Sequence, residues 1–166
     1  DAFADKRALL TMQGDEPRYI HGHVSRLRLG DAGKKLTTYA VSVVPMTWKL
    51  QHRHDCRIFQ NLSVPDILTK VLEGAGCEAG THFRLAVQGT YAAREYCVQY
   101  RESDFAFISR LMEEVGIYYF FEHTDSGHVM VLADGKAPHV PIAGEASVRY
   151  VPPAGDEVHL VFRDPW

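Results

Sequence analysis

The chain has 166 residues, 46 % of them hydrophobic and 23 % charged, with a net charge of −3; this is ordinary globular composition with enough length to bury a core. Residues 1–83 carry 11 basic and 9 acidic side chains and residues 84–166 carry 7 and 12, so no segment gathers the positive charge that counterion-release binding needs, which argues against nucleic acid as a partner. Uninterrupted apolar runs stop at about five residues, far short of the roughly 20 of a membrane-spanning helix, and the first residues lack the basic-then-apolar order of a signal peptide.

Ala8 to Met12 is a short apolar run, and Gln13-Gly-Asp-Glu-Pro17 is a turn signal. Arg18 to Leu29 then reads as a long strand, with Ile20 and Val24 on one face and His21, His23, Leu27 and Leu29 on the other. Gly30 to Lys34 turns the chain, and Leu36 to Val44 returns rich in β-branched residues before Pro45 ends it. Met46 to Leu50, with Trp48, is a further strand or a strand-to-helix connection. The first 50 residues therefore predict a meander of three or four antiparallel strands, which needs more strands or a partner surface to close its edges.

Ser63-Val-Pro-Asp66 opens the first helix, with an N-cap hydroxyl, a proline in the first turn and an acid at the capping-box position. Ile67, Leu68, Val71 and Leu72 form its apolar stripe, and Gly74 or Gly76 stops it. Phe83 to Gln88 reads as a strand leading to the unit that organises the chain, Arg94 to His123.

That unit begins with alternation from Arg94 to Arg101, which sets Tyr96, Val98 and Tyr100 on one face of a half-buried strand and Glu95, Cys97 and Gln99 on the other. The Cys97 face is expected to be wet or to meet another subunit. The pattern then turns helical, with Phe105, Ile108, Leu111, Met112 and Val115 recurring at three- and four-residue steps. Ser103 is the expected N-cap, Asp104 suits the positive end of the helix dipole, and Gly116 takes the left-handed C-terminal position. Arg101, Glu102 and Asp104 read as turn and cap chemistry at the corner, and Glu114 as the partner of Arg110 four residues back.

Ile117 to Phe121 is a continuous apolar run and predicts a strand covered on both faces. Of Tyr118, Tyr119, Phe120 and Phe121, half are expected in the core and half on a face open to a subunit contact. The helix is expected to pack on a sheet formed by its two flanking strands. Thr124 to Gly127 is a hairpin loop with His128 to Ala133 as its returning strand, and Val148–Val151 with Val158–Phe162 would make a last hairpin.

Catalytic constellations are missing from the pattern. There is no Gly-x-Ser-x-Gly elbow and no phosphate-binding glycine loop, and the adjacent Glu113 and Glu114 point about 100° apart on a helix. Cys56, Cys77 and Cys97 form no Cys-x-x-Cys pair and read as reduced thiols. Among nine histidines, His21-x-His23 and His52-x-His54 would each share a strand face, with Asp55 and Cys56 after the second pair, but neither has a zinc-site spacing. Surface or interface histidines are the expectation, with no metal and no cofactor.

The run REYCVQYRESDFAFISRLMEEVGIYYFFEH from Arg94 to His123, with VLADG at Val131 to Gly135 and DCRIFQNLSVPDIL at Asp55 to Leu68, resembles the VgrG family of type VI secretion spike proteins. The same family takes in the hubs of contractile phage tails, and the similarity covers roughly Tyr19 to Gly135. It implies a mainly β fold: barrel-like antiparallel subdomains of the phage baseplate hub type, with two short helices. Residues 1–60 would form an N-terminal antiparallel subdomain. Residues 61–166 would form a second, with helices near 63–74 and 103–115, both belonging to one incomplete hub domain cut from a longer chain. The signature and fold-organising residues are Arg94, Glu95, Tyr96, Tyr100, Arg101, Glu102, Ser103, Asp104, Phe105, Arg110, Leu111, Met112, Gly116, Tyr118, Tyr119 and Phe120.

The resemblance also implies a mechanical, non-enzymatic role. Three copies of the full-length protein would form a ring joining the spike to the tube of haemolysin-coregulated protein, next to baseplate components, with effectors or adaptors held by regions outside this chain. Such a protein would be cytoplasmic before firing and then secreted or delivered into a target cell. The alternatives are a contractile phage tail hub or, from a different class, a histidine-rich metal-dependent hydrolase or binding domain.

Overall fold

The computed structural model describes residues 5–14, 17–32 and 37–139; the hairpin expected at Val148–Val151 and Val158–Phe162 lies outside them. Strands β1 (Arg7–Met12), β2 (Arg18–Ala32) and β3 (Thr37–Val44) form one antiparallel sheet in the order β1-β2-β3, the meander predicted by the turn signals. A 3-10 helix over Met46–His52 follows Pro45 and resolves the segment that pattern alone left open. Strand β4 (His54–Phe59) pairs with β6 (Cys97–Ser103), joining residues on either side of position 60. Strand β5 (Phe83–Ala86) runs parallel to β8 (His128–Ala133), which also pairs antiparallel with β7 (Tyr118–His123).

Both helices begin and end where local chemistry dictates. In α1 (Val64–Gly74) the Ser63 hydroxyl accepts from the Asp66 main-chain N–H, and the Asp66 carboxylate accepts in return from the Ser63 N–H over 3.2 Å. In α2 (Asp104–Val115) the Ser103 hydroxyl accepts from the Ala106 N–H over 3.1 Å. Gly116 closes α2 at φ 76°, a left-handed backbone that side chains disfavour.

The core lies between the two helices and the inner sides of the two smaller sheets. Ile67, Leu68, Val71 and Leu72 of α1 and Phe107, Ile108, Leu111 and Met112 of α2 meet Phe59, Phe83, Cys97, Met130 and Leu132. Phe107 stacks on Phe59 at 5.6 Å. The predicted stripe of α2 is thus shifted by part of a turn: Phe107 is buried, whereas Phe105 and Val115 are half-buried at its margin.

Four further expectations need correction. The strands flanking α2 do not pair with each other, since β6 joins β4 and β7 joins β8. α2 therefore bridges two sheets. The faces of β6 are reversed: Cys97 and Gln99 are buried while Tyr96 and Tyr100 are exposed, because the cross-strand partners of the former, Phe59 and Arg57, point at the helices. Strand β7 is half-buried on both faces rather than covered, with Tyr119 and Phe121 against the core and Tyr118 and Phe120 stacked beside His139. Finally, Arg110 pairs with Glu102 at 2.6 Å and Glu114 with Arg94 at 2.9 Å, so the corner captures the arginine that an isolated helix would have paired along its own face.

Leu111 is fully buried at the centre of this core. Leu111→Ala should destabilise the fold by about 2–5 kcal/mol, as truncation of a packed leucine does. A chemical denaturation midpoint unchanged by the substitution would refute the placement of α2.

Candidate subunit interface

The corner between β6 and α2 is built on a buried ion pair. Asp104 is 1 % exposed, so its carboxylate, read from sequence as dipole and cap chemistry, has to be satisfied inside the protein. It accepts from the Arg53 Nε at 3.1 Å, from the Arg57 Nη2, and from the Gln99 Nε2 at 2.9 Å. Its main-chain N–H donates to the Arg53 carbonyl over 2.7 Å. Gln99, itself fully buried, accepts twice from Arg57 and donates to the Glu102 carbonyl. One carboxylate thereby ties together the loop before β4, then β4, β6 and α2. Asp104→Ala should cost about 3 kcal/mol, because it strands the buried Gln99 amide and the largely buried Arg57; the partly exposed Arg53 adds little. Urea unfolding monitored by fluorescence measures the loss.

Next to the network, β6 carries a bulge. Asp55 pairs with Glu102 and Cys56 with Tyr100, leaving Arg101 as the extra residue at φ 52°. Its guanidinium lies over the Tyr100 ring, 5.2 Å from the centroid. Ser103, Asp104 and the start of α2 turn inward beyond the bulge. The outer face of β4–β6 keeps Cys56, Ile58, Tyr96 and Tyr100 in solvent, with Ile58 59 % and Tyr100 64 % exposed.

A second bulge shapes the β1–β2–β3 sheet. Val24 pairs with Val43 but Arg26 pairs with Ser42, so Ser25 is inserted and the alternation of β2 changes phase. Leu27 and Leu29 therefore join Ile20 and Val24 on one face instead of opposing them, as strict alternation predicted. Cross-strand partners share a face, which adds Leu10 from β1 and Tyr39, Val41 and Val43 from β3. Of these, Leu10, Ile20, Leu27, Leu29, Tyr39, Val41 and Val43 are exposed, Leu29 to 66 % and Tyr39 to 60 %. The close approach of β2 and β3 requires Gly22, where a Cβ would lie 2.6 Å from the Val43 side chain and 2.7 Å from the Val44 carbonyl.

The histidines part company with their sequence pairing. His21 and His23 share the opposite face of β2, but His21 meets His123 and His128 of the β7–β8 hairpin. His52 ends the 3-10 helix with its ring 4.4 Å from Trp48, and His54 starts β4 in solvent. Among the described residues no three His, Cys, Asp or Glu side chains are grouped to hold a metal ion. No helix of the described residues is long and apolar enough to cross a membrane. Cys77 and Cys97 are buried thiols and Cys56 an exposed one.

The described residues thus carry two exposed apolar faces on different sheets, one of them beside the buried polar corner. The model of the phage tail baseplate hub (GPD) family matches residues 1–164. The chain belongs to that family. It is similar to the type VI secretion system spike protein VgrG1c of Pseudomonas aeruginosa, 43 % identical over 87 % of this chain and 20 % of the relative. It is also similar to the spike protein VgrG3 of Vibrio cholerae, 34 % identical over 98 % of this chain and 16 % of the relative. Among solved structures, a component of the Escherichia coli type VI secretion system, the c3393 protein, superposes with a TM-score of 0.69 at 29 % identity. That likeness covers 74 % of this chain and 35 % of the other, which is described as structurally similar to the phage T4 tail proteins gp27 and gp5.

The resemblance to VgrG spike proteins drawn from Arg94–His123 thus holds, as does the mainly β hub fold with short helices. The chain spans about a fifth of the length of these curated relatives. Of the signature residues, Ser103, Asp104, Leu111, Met112 and Gly116 serve the fold, Phe105 and Tyr119 pack against the core's margin, and Tyr96, Tyr100 and Arg101 face solvent. Arg94 and Glu114, like Glu102 and Arg110, form surface ion pairs, and Glu95 is exposed. Tyr118 donates its hydroxyl to the Gly135 carbonyl, and Phe120 lies on the same outer side of β7. The pattern missed Arg53, Arg57, Gln99 and Phe107, whose roles depend on partners brought from elsewhere in the chain.

Proposed function

We propose that this chain is the hub part of a type VI secretion spike, a structural subunit that assembles as a homotrimer without catalysing a reaction. The observation that carries the reading is the pair of exposed apolar faces on different sheets, in a chain whose family is the baseplate hub. A threefold ring is closed by head-to-tail contacts, in which each copy offers two different surfaces to its neighbours. The β1–β2–β3 face and the β4–β6 face supply two such surfaces, and exposed apolar area of this extent ordinarily marks an interface.

In this reading residues 1–60 and 61–166 are two parts of one hub domain, supported by the separate β1–β2–β3 sheet and spanned by the β4–β6 pairing. The trimer seats on the tube of haemolysin-coregulated protein beside baseplate components, and regions outside this chain carry effectors or adaptors. The protein waits in the cytoplasm and leaves the cell, or enters a target, when the contractile machinery fires. A contractile phage tail hub is the neighbouring reading, favoured by the family description itself. Binding to a purified haemolysin-coregulated tube separates the two.

Sedimentation of the full-length protein across a concentration series tests the assembly. The unaltered protein should run as a trimer, whereas Leu29→Asp and Tyr100→Asp, each placing a charge on one face, should dissociate it. Both side chains are exposed in the isolated chain, so the substitutions should shift the unfolding free energy of this chain on its own by no more than about 0.5 kcal/mol. A full-length protein that is monomeric at every concentration would overturn the spike reading. Trimers that survive both substitutions would leave the spike and remove these two faces from its contact.

A further inference from the structure

Where the β1–β2–β3 sheet meets the β7–β8 hairpin, the contact is made by imidazoles. His21 of β2 and His128 of β8 are both buried, with their Nδ1 atoms 3.1 Å apart. The Met46 main-chain N–H, at the start of the 3-10 helix, donates to the His128 Nε2 over 2.9 Å. The His21 main-chain N–H donates to the His123 Nδ1 over 3.1 Å.

A ring nitrogen that accepts from an N–H carries no proton of its own. His128 therefore holds its proton on Nδ1 and donates it to the His21 Nδ1, which leaves His21 and His123 protonated on Nε2. Three neutral rings in fixed tautomers result. In each, the nitrogen that would take a further proton is the one already accepting a hydrogen bond. Charging His128 sets an N–H against the Met46 N–H, charging His21 sets two ring N–H groups face to face, and charging His123 expels the His21 N–H.

We propose that this cluster is an acid-sensitive latch that joins the N-terminal sheet and the first residue of the 3-10 helix to the hairpin at neutral pH and releases them on acidification, while the helical core, with Leu50 in it, stays folded. The surrounding charges favour release. Arg7 of β1, His23 of β2 and His82 ahead of β5 line the same cleft, whose lining holds a guanidinium and further imidazoles but no carboxylate. Asp5 lies 3.4 Å from the His23 ring and is engaged by Lys49 at 2.9 Å, while Glu122, beside His123, is paired with Arg84 at 2.6 Å. Phe121 packs its ring 6.0 Å from His128 and offers no charge.

Burial lowers the pKa of His21, His123 and His128, and repulsion from the neighbouring histidines adds to it at His128, which falls to about 4. A histidine whose folded pKa is depressed stabilises the closed form above its ordinary value of 6.5, and loses that contribution as the pH falls toward 4. The window for release is therefore mildly acidic.

Amide hydrogen exchange on the full chain tests the latch, with the His21 and Met46 amides as reporters because each donates to one of the rings. Between pH 7 and pH 5 their protection, corrected for intrinsic exchange, should fall by about tenfold or more, a decade for each pKa unit of linkage expressed. The Leu111 and Met112 amides of α2 should keep theirs. Unchanged protection at both reporters, or an equal loss in α2, would overturn the proposal. His128→Gln offers an oxygen to Met46 and an NH2 group to His21 without titrating, so it should abolish most of the acid loss; an undiminished loss in that variant also overturns the latch. Should the variant fail to fold, NMR titration of the unaltered chain decides. All three rings titrating below 6.5 supports the latch, and a His128 that titrates at 6.5 or above removes it.

Discussion

The buried carboxylate of Asp104 is the constraint around which the second half of the chain is arranged. A charge without water has to find donors, and here those donors come from two arginines on the approach to and along β4 and from a glutamine on β6. Meeting them fixes the register of β4 on β6 and the angle at which α2 leaves its strand. The helix then covers the inner faces of two sheets that share no strand. Ser103 and Gly116 delimit α2, but the ion pair decides where it points. The capping residues and the network therefore act on different levels, one local and one tertiary.

Two single-residue insertions give the surface its character. Ser25 in β2 and Arg101 in β6 each interrupt the two-residue period, and β2 shifts register again between Leu29 and Ala32. In β2 the phase change brings Ile20 and Val24 from the first half of a 15-residue strand and Leu27 and Leu29 from the second onto one side. In β6 the left-handed Arg101 follows the outward Tyr100 and lets the chain turn inward to Asp104. A bulge costs ladder hydrogen bonds and some backbone strain. Here each one sits beside an apolar face that remains in solvent, which is where a subunit contact would repay it.

The opposite side of the N-terminal sheet shows a different economy of contacts. It meets the hairpin through His21, His123 and His128, small polar rings whose hydrogen bonds depend on neutrality. The helical core is held mainly by packed aliphatic and aromatic side chains. The proposed latch would make the two parts of the fold answer differently to pH, although they are covalently continuous.

Local features were legible in the residues themselves. The Ser63–Asp66 box, the Ser103 cap, the Gly116 terminus and the strand–turn–strand order of the first 44 residues all act within a few positions, so a single stretch contains both partners. The long run from Arg94 to His123 likewise disclosed the family. What the stretch could not contain was a distant partner. The arginines that neutralise Asp104 lie 51 and 47 residues away, and without them Asp104 looked like a helix-end acid and Gln99 like a wet one. Alternation placed Tyr96 and Tyr100 inward because aromatic residues outweigh a cysteine and a glutamine in any hydrophobic count. Tertiary structure reversed that choice, since the buried ion pair needed an amide beside it; in β2 it was the single inserted Ser25 that exchanged one face of the strand for the other.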